Sequence, residues 1–116
     1  MRYRFTRHEQ QQIEQLAHYM ELHVNRPLTL KELCRRTGMS ARKLNEGFFF
    51  FLDERPLRYL SACRMAMALF LLRHSDQPIK EISSAVGFRY TKNFMLAFKL
   101  YWGYTAGQAR KNVNDI

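Results

Sequence analysis

The sequence has little of what marks a secreted or membrane-spanning protein. Its two cysteines, Cys34 and Cys63, are too few for a disulfide framework in a chain of 116 residues that can build its own core. The first ten residues contain no apolar segment of a signal peptide, and the longest apolar run, from Met65 to Leu72, is far too short to span a bilayer. We therefore expect both cysteines to be small core residues, and we expect a cytoplasmic protein with no membrane partner.

Motifs of enzymes and cofactor sites are also missing. The sequence has no glycine-rich phosphate loop, nucleophile motif or paired-carboxylate site, so we expect no catalytic residue and no cofactor. The four histidines lack ligand spacing with cysteine or carboxylate, which favours a surface role over a metal site. Acidic residues are scarce, since 10 Asp and Glu stand against 19 Lys and Arg, for a net charge of +9. Such an excess attracts polyanions, of which nucleic acid and anionic membrane surfaces are the obvious candidates.

Apolar residues recur with a helical period along the whole chain, and alternating runs typical of strands are absent. The sequence therefore predicts an all-α fold of about seven helices. We expect Thr6, Thr29 and Ser40 to be N-caps, with Glu32 at the capping-box position after Thr29. We expect Gly38 to be a left-handed turn residue. The clearest predicted helices run from about residue 6 to 24, 29 to 37, 57 to 74 and 105 to 111.

An internal repeat divides the chain. The segment Leu30-Lys31-Glu32-Leu33 is echoed by Ile79-Lys80-Glu81-Ile82, and a glycine follows each glutamate six positions later, at Gly38 and Gly87. A further helix with a buried apolar pair follows each glycine. Two copies of helix, glycine turn and helix predict a first helix-turn-helix subdomain at 6–55, a linker helix at 56–75 and a second subdomain at 76–112. The remaining residues, 113–116, form a predicted polar tail.

The requirements of a helix-turn-helix are met in both copies. The first helix needs an apolar pair to brace the second, a small residue where the helices approach (Cys34 or Ser83) and a glycine in the turn. The exposed front of the second helix is polar, as hydrogen bonding to base edges requires. A linker helix of about 18 residues is roughly 27 Å long. It can therefore hold two DNA-reading helices about one DNA turn, roughly 34 Å, apart.

Residues of the second copy and of the linker resemble a known family. They match its patterns I-x-E-I-A-x-x-V-G-F, F-x-x-x-F-K and G-x-T-P-x-x-Y-R, and over 13–111 the chain is similar to the DNA-binding domain of AraC/XylS transcription regulators. The resemblance implies a sequence-specific regulator of promoter DNA, usually an activator, that often touches RNA polymerase. The matching residues are Ile79, Glu81, Ile82, Val86, Gly87, Phe88, Phe94, Phe98, Lys99, Tyr104, Thr105 and Arg110, with Tyr59, Leu60, Arg64, Met65, Ala68, Leu71 and Leu72 in the linker.

The resemblance also implies which side chains contact DNA. Carried over by position, the base-reading residues are Arg42, Asn45 and Glu46 in the first copy and Thr91, Lys92, Asn93 and Leu96 in the second. Arginine and lysine can donate to guanine, asparagine can pair with adenine, and glutamate can accept only from cytosine. Phosphate contacts, which set register without specifying sequence, are expected from Ser40, Lys43, Arg58, Arg89, Tyr90 and Lys99.

Several residues depart from the family pattern. Phe49 and Phe50 replace a usual basic pair and leave four consecutive phenylalanines, 48–51, which cannot all face one core. We expect Phe48 in the core and a partner surface at Phe49, Phe50 and Phe51, unless the following loop covers them. Asp53 stands where a glycine is usual, and Ala106 replaces a proline.

These departures support a second hypothesis, a protein-interaction module of the same fold with weakened DNA binding that uses the surface at 48–51. The chain is either a stand-alone regulator or the DNA-binding part of a longer protein whose sensing or dimerisation domain lies elsewhere.

Overall fold

Seven α-helices account for the regular structure of residues 3–112, which are the residues that the computed structural model describes, with the backbone alone of Asn112. Within that range there is no strand, so the all-α prediction is confirmed. The predicted tail at 113–116 lies outside the described residues. The helices are α1 (Arg7–Leu22), α2 (Leu30–Thr37), α3 (Ala41–Leu52), α4 (Pro56–His74), α5 (Ile79–Ala85), α6 (Thr91–Trp102) and α7 (Ala106–Asn112).

The three predicted N-caps all form. The side chains of Thr6, Thr29 and Ser40 each accept from the backbone N–H three residues later. A full capping box is made at Thr6, where Glu9 accepts in return from the Thr6 backbone N–H at 3.0 Å. At Thr29 the carboxylate of Glu32 accepts instead from the guanidinium of Arg35 at 2.7 Å.

The chain divides into two compact units between Ala62 and Cys63, so that α4 begins in one unit and ends in the other. In the first unit α1 packs against α2 and α3, and the predicted apolar stripe of α1 is buried. Val24 is buried as well, although α1 ends two residues before it. The buried core of this unit consists of Ile13, Leu16, Ala17, Met20, Leu28, Leu33, Met39, Leu44, Phe48 and Leu60.

The second unit is built from α5, α6, α7 and the later part of α4. Its α4 end is held by Arg110 of α7, whose guanidinium donates to the carbonyls of Leu72 (3.3 Å) and Ser75 (3.2 Å). These bonds satisfy acceptors that a helix C-terminus otherwise leaves without partners. The buried core consists of Met65, Ala68, Leu72, Ile82, Val86, Phe94, Phe98, Ala106 and Ala109.

The expectation that both cysteines are core residues needs adjustment. Cys34 and Cys63 are both half-buried thiols and not fully enclosed residues, and Cys34 packs at the margin of the first core. On α4, Met67 and Phe70 are exposed, with the Phe70 ring 4.7 Å from the ring of His74. In the described part of the chain no helix is both long and apolar enough to cross a membrane.

Candidate nucleic-acid interface

The helices α3 and α6 are equivalent elements of the two units, and each contains twelve residues. Each has a fully buried pair, Leu44 and Phe48 in α3 and Phe94 and Phe98 in α6, and the members of one pair lie 50 positions from those of the other. The left-handed C-caps Asp53 and Gly103 are also 50 positions apart (103 − 53).

The turn glycines Gly38 and Gly87, both with positive φ, lie 49 positions apart (87 − 38). The second turn is therefore one residue longer than the first. Equivalent positions of α3 and α6 are therefore 50 residues apart, which pairs Arg42 with Lys92, Glu46 with Leu96 and Phe49 with Lys99.

The face of each helix that points away from its core follows from this register. Glu46 lies two residues from both Leu44 and Phe48, and Leu96 lies two residues from both Phe94 and Phe98. Two residues correspond to 200° at 100° per residue, so Glu46 and Leu96 each occupy the centre of the outward face. We call this face the front of α3 or α6.

The front of α6 is open to solvent. Lys92, Asn93 and Lys99 are exposed, and Leu96 is 62% exposed. Thr91, the first residue of the helix, is half-buried and lies about 140° around the helix from Leu96, toward the core side. The predicted phosphate contacts Arg89 and Tyr90 precede the helix and are exposed, with the guanidinium carbon 5.7 Å from the centre of the Tyr90 ring.

Sequence reasoning missed two apolar residues of α6. Met95 is exposed, and Leu100 is 78% exposed, the highest value among the large apolar side chains of the described residues. The spacing of the two residues relative to the buried Phe94 and Phe98 is the signal that would have found them. The front of α6 is thus lysine-rich and aliphatic, and not purely polar as predicted.

The front of α3 is more enclosed. Arg42 is exposed, but Asn45 and Glu46 are half-buried, and Glu46 Oε2 is shielded from solvent without a hydrogen-bond partner. A groove of about 520 Å³ runs along this side of the helix. Its lining consists of Asn45, Glu46, Phe49, Phe50, Asp53 and Arg55.

Lys43, a predicted phosphate contact, is already engaged by another residue. Its ammonium forms a short ion pair with the carboxylate of Glu9 on α1, and its side chain is only 26% exposed. The bond from Lys43, followed by the backbone N–H of Thr6, holds the pKa of Glu9 below its ordinary value. Glu9 thus partly neutralises a cation beside the front of α3. The other two predicted phosphate contacts of this unit, Ser40 and Arg58, are exposed, Ser40 at the N-cap of α3 and Arg58 in the first turn of α4.

The four phenylalanines of α3 separate as the helical geometry requires. Phe48 is fully buried, Phe49 and Phe50 are more than half exposed, and Phe51 is half-buried. The covering residue is not in the following loop but precedes α1. The Phe5 ring lies 5.5 Å from the ring of Phe51 and 6.4 Å from that of Phe50.

The same Phe5 ring lies directly over the backbone of α3. A methyl group on Gly47 would come within 2.6 Å of Phe5 Cε1 and 2.7 Å of Ile13 Cδ1. Only a residue without a side chain allows this contact. Neither Phe5 nor Gly47 was identified from the sequence, because no local pattern reports a contact between positions 42 residues apart.

Comparisons with known proteins agree with this arrangement. A family profile described as a helix-turn-helix domain matches residues 33–112, more than half of the chain. The probable thc operon regulatory protein of Rhodococcus erythropolis is 31% identical over 98 residues, which cover 82% of this chain and 30% of that protein. The transcriptional activator RhaS of Escherichia fergusonii is 26% identical over 99 residues, which cover 85% of this chain and 36% of that protein.

A solved structure shows the same fold. The DNA-binding domain of AdpA, crystallised with a target DNA, has a TM-score of 0.84 and 22% identity over 90% of this chain and 94% of that chain. The chain spans about a third of the length of the two curated relatives. The profile match places the chain in the AraC/XylS family of DNA-binding, helix-turn-helix transcription regulators, and the relatives and the fold agree with it.

Proposed function

We propose that this chain regulates transcription by binding promoter DNA in a sequence-specific way, with α3 and α6 as its two recognition helices. The observation that carries the proposal is the front of α6, where Lys92 and Lys99 are exposed on either side of Leu96. Phe94 and Phe98 hold the opposite side of the helix in the core. Lysine side chains at this spacing suit the phosphates and guanine edges of a major groove.

Charge supports the same conclusion. A net charge of +9 on 116 residues favours association with a polyanion and makes the affinity depend on salt. The base contacts then fall to Arg42, Asn45 and Glu46 in the first unit and to Lys92, Asn93 and Leu96 in the second. Thr91, half-buried at the start of α6, takes a lesser part.

We further propose that the two recognition helices enter successive major grooves on one side of the DNA. The 19 residues of α4 give a length of about 28 Å, close to the roughly 34 Å of one DNA turn. Insertion of about five base pairs between the two half-sites would turn them to opposite faces of the duplex. We expect that insertion to reduce affinity to the level of a single unit.

Activation of transcription, through contact with RNA polymerase, is the regulatory outcome that we propose. It is supported by the similarity to RhaS, which is described as an activator. A promoter carrying the bound site should give more transcript in the presence of the chain, and a fall in transcript would show repression instead.

Titration of a labelled duplex at increasing salt concentrations tests the proposed DNA binding directly. The duplex carries a site selected by this chain from a random library, and the control is a scrambled duplex of the same length. We expect tight binding to the selected site, with an affinity that falls steeply as salt rises. Lys99→Ala should reduce the salt slope by about one, whereas Lys111→Ala, outside the recognition helices, should change it less. Equal affinity for both duplexes would refute sequence-specific binding.

The groove on α3 favours a second candidate function. Phe49 and Phe50 are apolar and exposed beside the shielded oxygen of Glu46, which suits a protein segment with an apolar anchor and a basic residue better than it suits phosphate. If DNA binding is the main function of α3, Arg42→Ala will weaken DNA affinity more than Phe50→Ala. If neither substitution changes DNA affinity, that result favours a protein partner for α3, whereas a larger loss from Phe50→Ala would place Phe50 itself in the DNA interface.

A further inference from the structure

We propose that the second unit recognises thymine through its C5-methyl group, and that Leu96 is the side chain that contacts it. The inference rests on the proposed binding of α6 in a major groove and adds the base that the groove must offer. It also assigns to an aliphatic side chain a role that hydrogen-bonding residues usually take in sequence readout.

The position of Leu96 is the first argument. It lies at the centre of the front of α6, 200° from each of the buried residues Phe94 and Phe98, and it is 62% exposed. With the front of α6 turned toward the DNA, as proposed, a residue in this place faces the floor of the groove. A single exposed leucine elsewhere on a surface would need no explanation, but this one lies at the centre of the face that we propose to meet the bases.

Chemistry then restricts the partner. Leucine has no hydrogen-bond donor or acceptor, so it cannot read the polar atoms of guanine, adenine or cytosine. The thymine methyl is the one apolar group that a base presents in the major groove. Burial of that methyl against an aliphatic side chain is favourable, whereas burial of a polar base edge against it leaves hydrogen bonds unmade.

The neighbouring charges favour DNA over an apolar protein surface as the occupant. Lys92 and Lys99 lie four residues before and three residues after Leu96 on the same side of α6, and both are exposed. Together with the cationic Arg89 before the helix, they would oppose a hydrophobic interface but match two lines of phosphates on either side of a groove. An aliphatic centre with cationic flanks is complementary to a thymine-containing site.

Replacement of thymine by deoxyuridine provides the test, because it removes the methyl and retains base pairing. A site is selected from a random library by the wild-type chain and separately by Leu96→Ala. Single thymines of the selected duplex are then replaced in turn. We expect one or two replacements to weaken wild-type binding by about fourfold each. Leu96→Ala should bind the thymine and uracil duplexes equally and should lose the thymine preference at the same positions.

Two control variants separate this role from others. Leu22→Ala removes an equally exposed leucine of α1 and should keep the full thymine-to-uracil ratio. Lys92→Ala should weaken binding to both duplexes and keep the ratio as well. The proposal is overturned if no replacement affects the wild type, or if the effect persists in Leu96→Ala. Failure of the wild type to bind any duplex would overturn the proposed function and this inference together, whereas binding without thymine discrimination overturns the inference alone.

Discussion

The two units share a helix-turn-helix arrangement but differ in what lies on the front of the second helix. The equivalent positions carry Glu46 and Phe49 on α3 but Leu96 and Lys99 on α6, so the first front is acidic and aromatic and the second is aliphatic and cationic. The first unit also holds Lys43 in an ion pair and covers part of α3 with Phe5. A common backbone therefore supports two chemically different surfaces, and the second is the better suited to a polyanion.

Replacement of Leu96, at the centre of the front of α6, by the glutamate found at the equivalent position of α3 should have the largest effect on DNA affinity. Leu96→Glu gives α6 the acid that α3 has, next to the phosphates and against the proposed thymine methyl. Like charges brought together at an interface cost several kcal/mol, so we expect DNA affinity to fall by at least about thirtyfold, or about 2 kcal/mol. Leu22→Glu changes the net charge equally on an exposed site of α1 and should cost only a few-fold. Equal losses from both variants would mean that only net charge matters. Fluorescence anisotropy with the selected duplex measures both.

Because Phe5 packs against α3, replacement of a helical glycine by alanine should have opposite effects on stability in the two units. Gly47→Ala introduces a methyl that meets Phe5 and the fully buried Ile13 within 2.8 Å, and we expect a loss of about 1.5 kcal/mol of unfolding free energy despite better helix propensity. In α7, a methyl on Gly107 would meet no heavy atom closer than 3.9 Å. Gly107→Ala should therefore stabilise the protein by about 0.5–1 kcal/mol. Urea denaturation gives both values, and stabilisation by Gly47→Ala would show that Phe5 does not pack there.

Much of the fold could be predicted from the sequence because its determinants are local. The caps at Thr6, Thr29 and Ser40, the left-handed Gly38 and the apolar stripe of α1 depend on residues within a few positions of one another. The one-residue difference between the two turns was missed, since the glycines alone suggest an offset of 49. It became visible only when the buried pairs and the C-caps were located.

The candidate site was predicted less completely, because the state of a side chain depends on distant neighbours. The sequence places Lys43 on the right helix, but its partner Glu9 is 34 positions away. The exposure of Met95 and Leu100 follows from the burial of Phe94 and Phe98, whose spacing the family pattern gives, but the pattern leaves the type of the residues around this pair open. Family resemblance thus identified most of the front residues but not which of them are open to solvent.

The C-caps of α3 and α6 differ by one side chain and predict opposite changes in stability when they are exchanged. Asp53 has φ 59° and is the one non-glycine residue with positive φ among the described residues, whereas Gly103 has φ 85° at the equivalent position. Asp53→Gly removes both the strain of that conformation and an acid at a helix C-terminus, so we expect about 1 kcal/mol of stabilisation. Gly103→Asp should lose a similar amount. Thermal unfolding compares the two variants, and a change of the same sign in both would rule out a conformational cause.

Removal of the ion pair between Glu9 and Lys43 should cause the smallest of the predicted changes in DNA affinity. Glu9→Gln keeps a side-chain oxygen for the Thr6 cap but removes the charge that holds Lys43. The freed ammonium should raise DNA affinity a few-fold and steepen the salt slope by about one. Glu14→Gln, an exposed position of the same helix, adds the same net charge without freeing a lysine and should leave the slope nearly unchanged.

Because the pKa of Glu9 is lowered in the folded state, the pair stabilises the protein above the ordinary carboxyl pKa and this contribution is lost as pH falls. The stability difference between wild type and Glu9→Gln should therefore shrink on acidification. A difference that is constant with pH would show that the Glu9 carboxylate does not form a stabilising ion pair with Lys43.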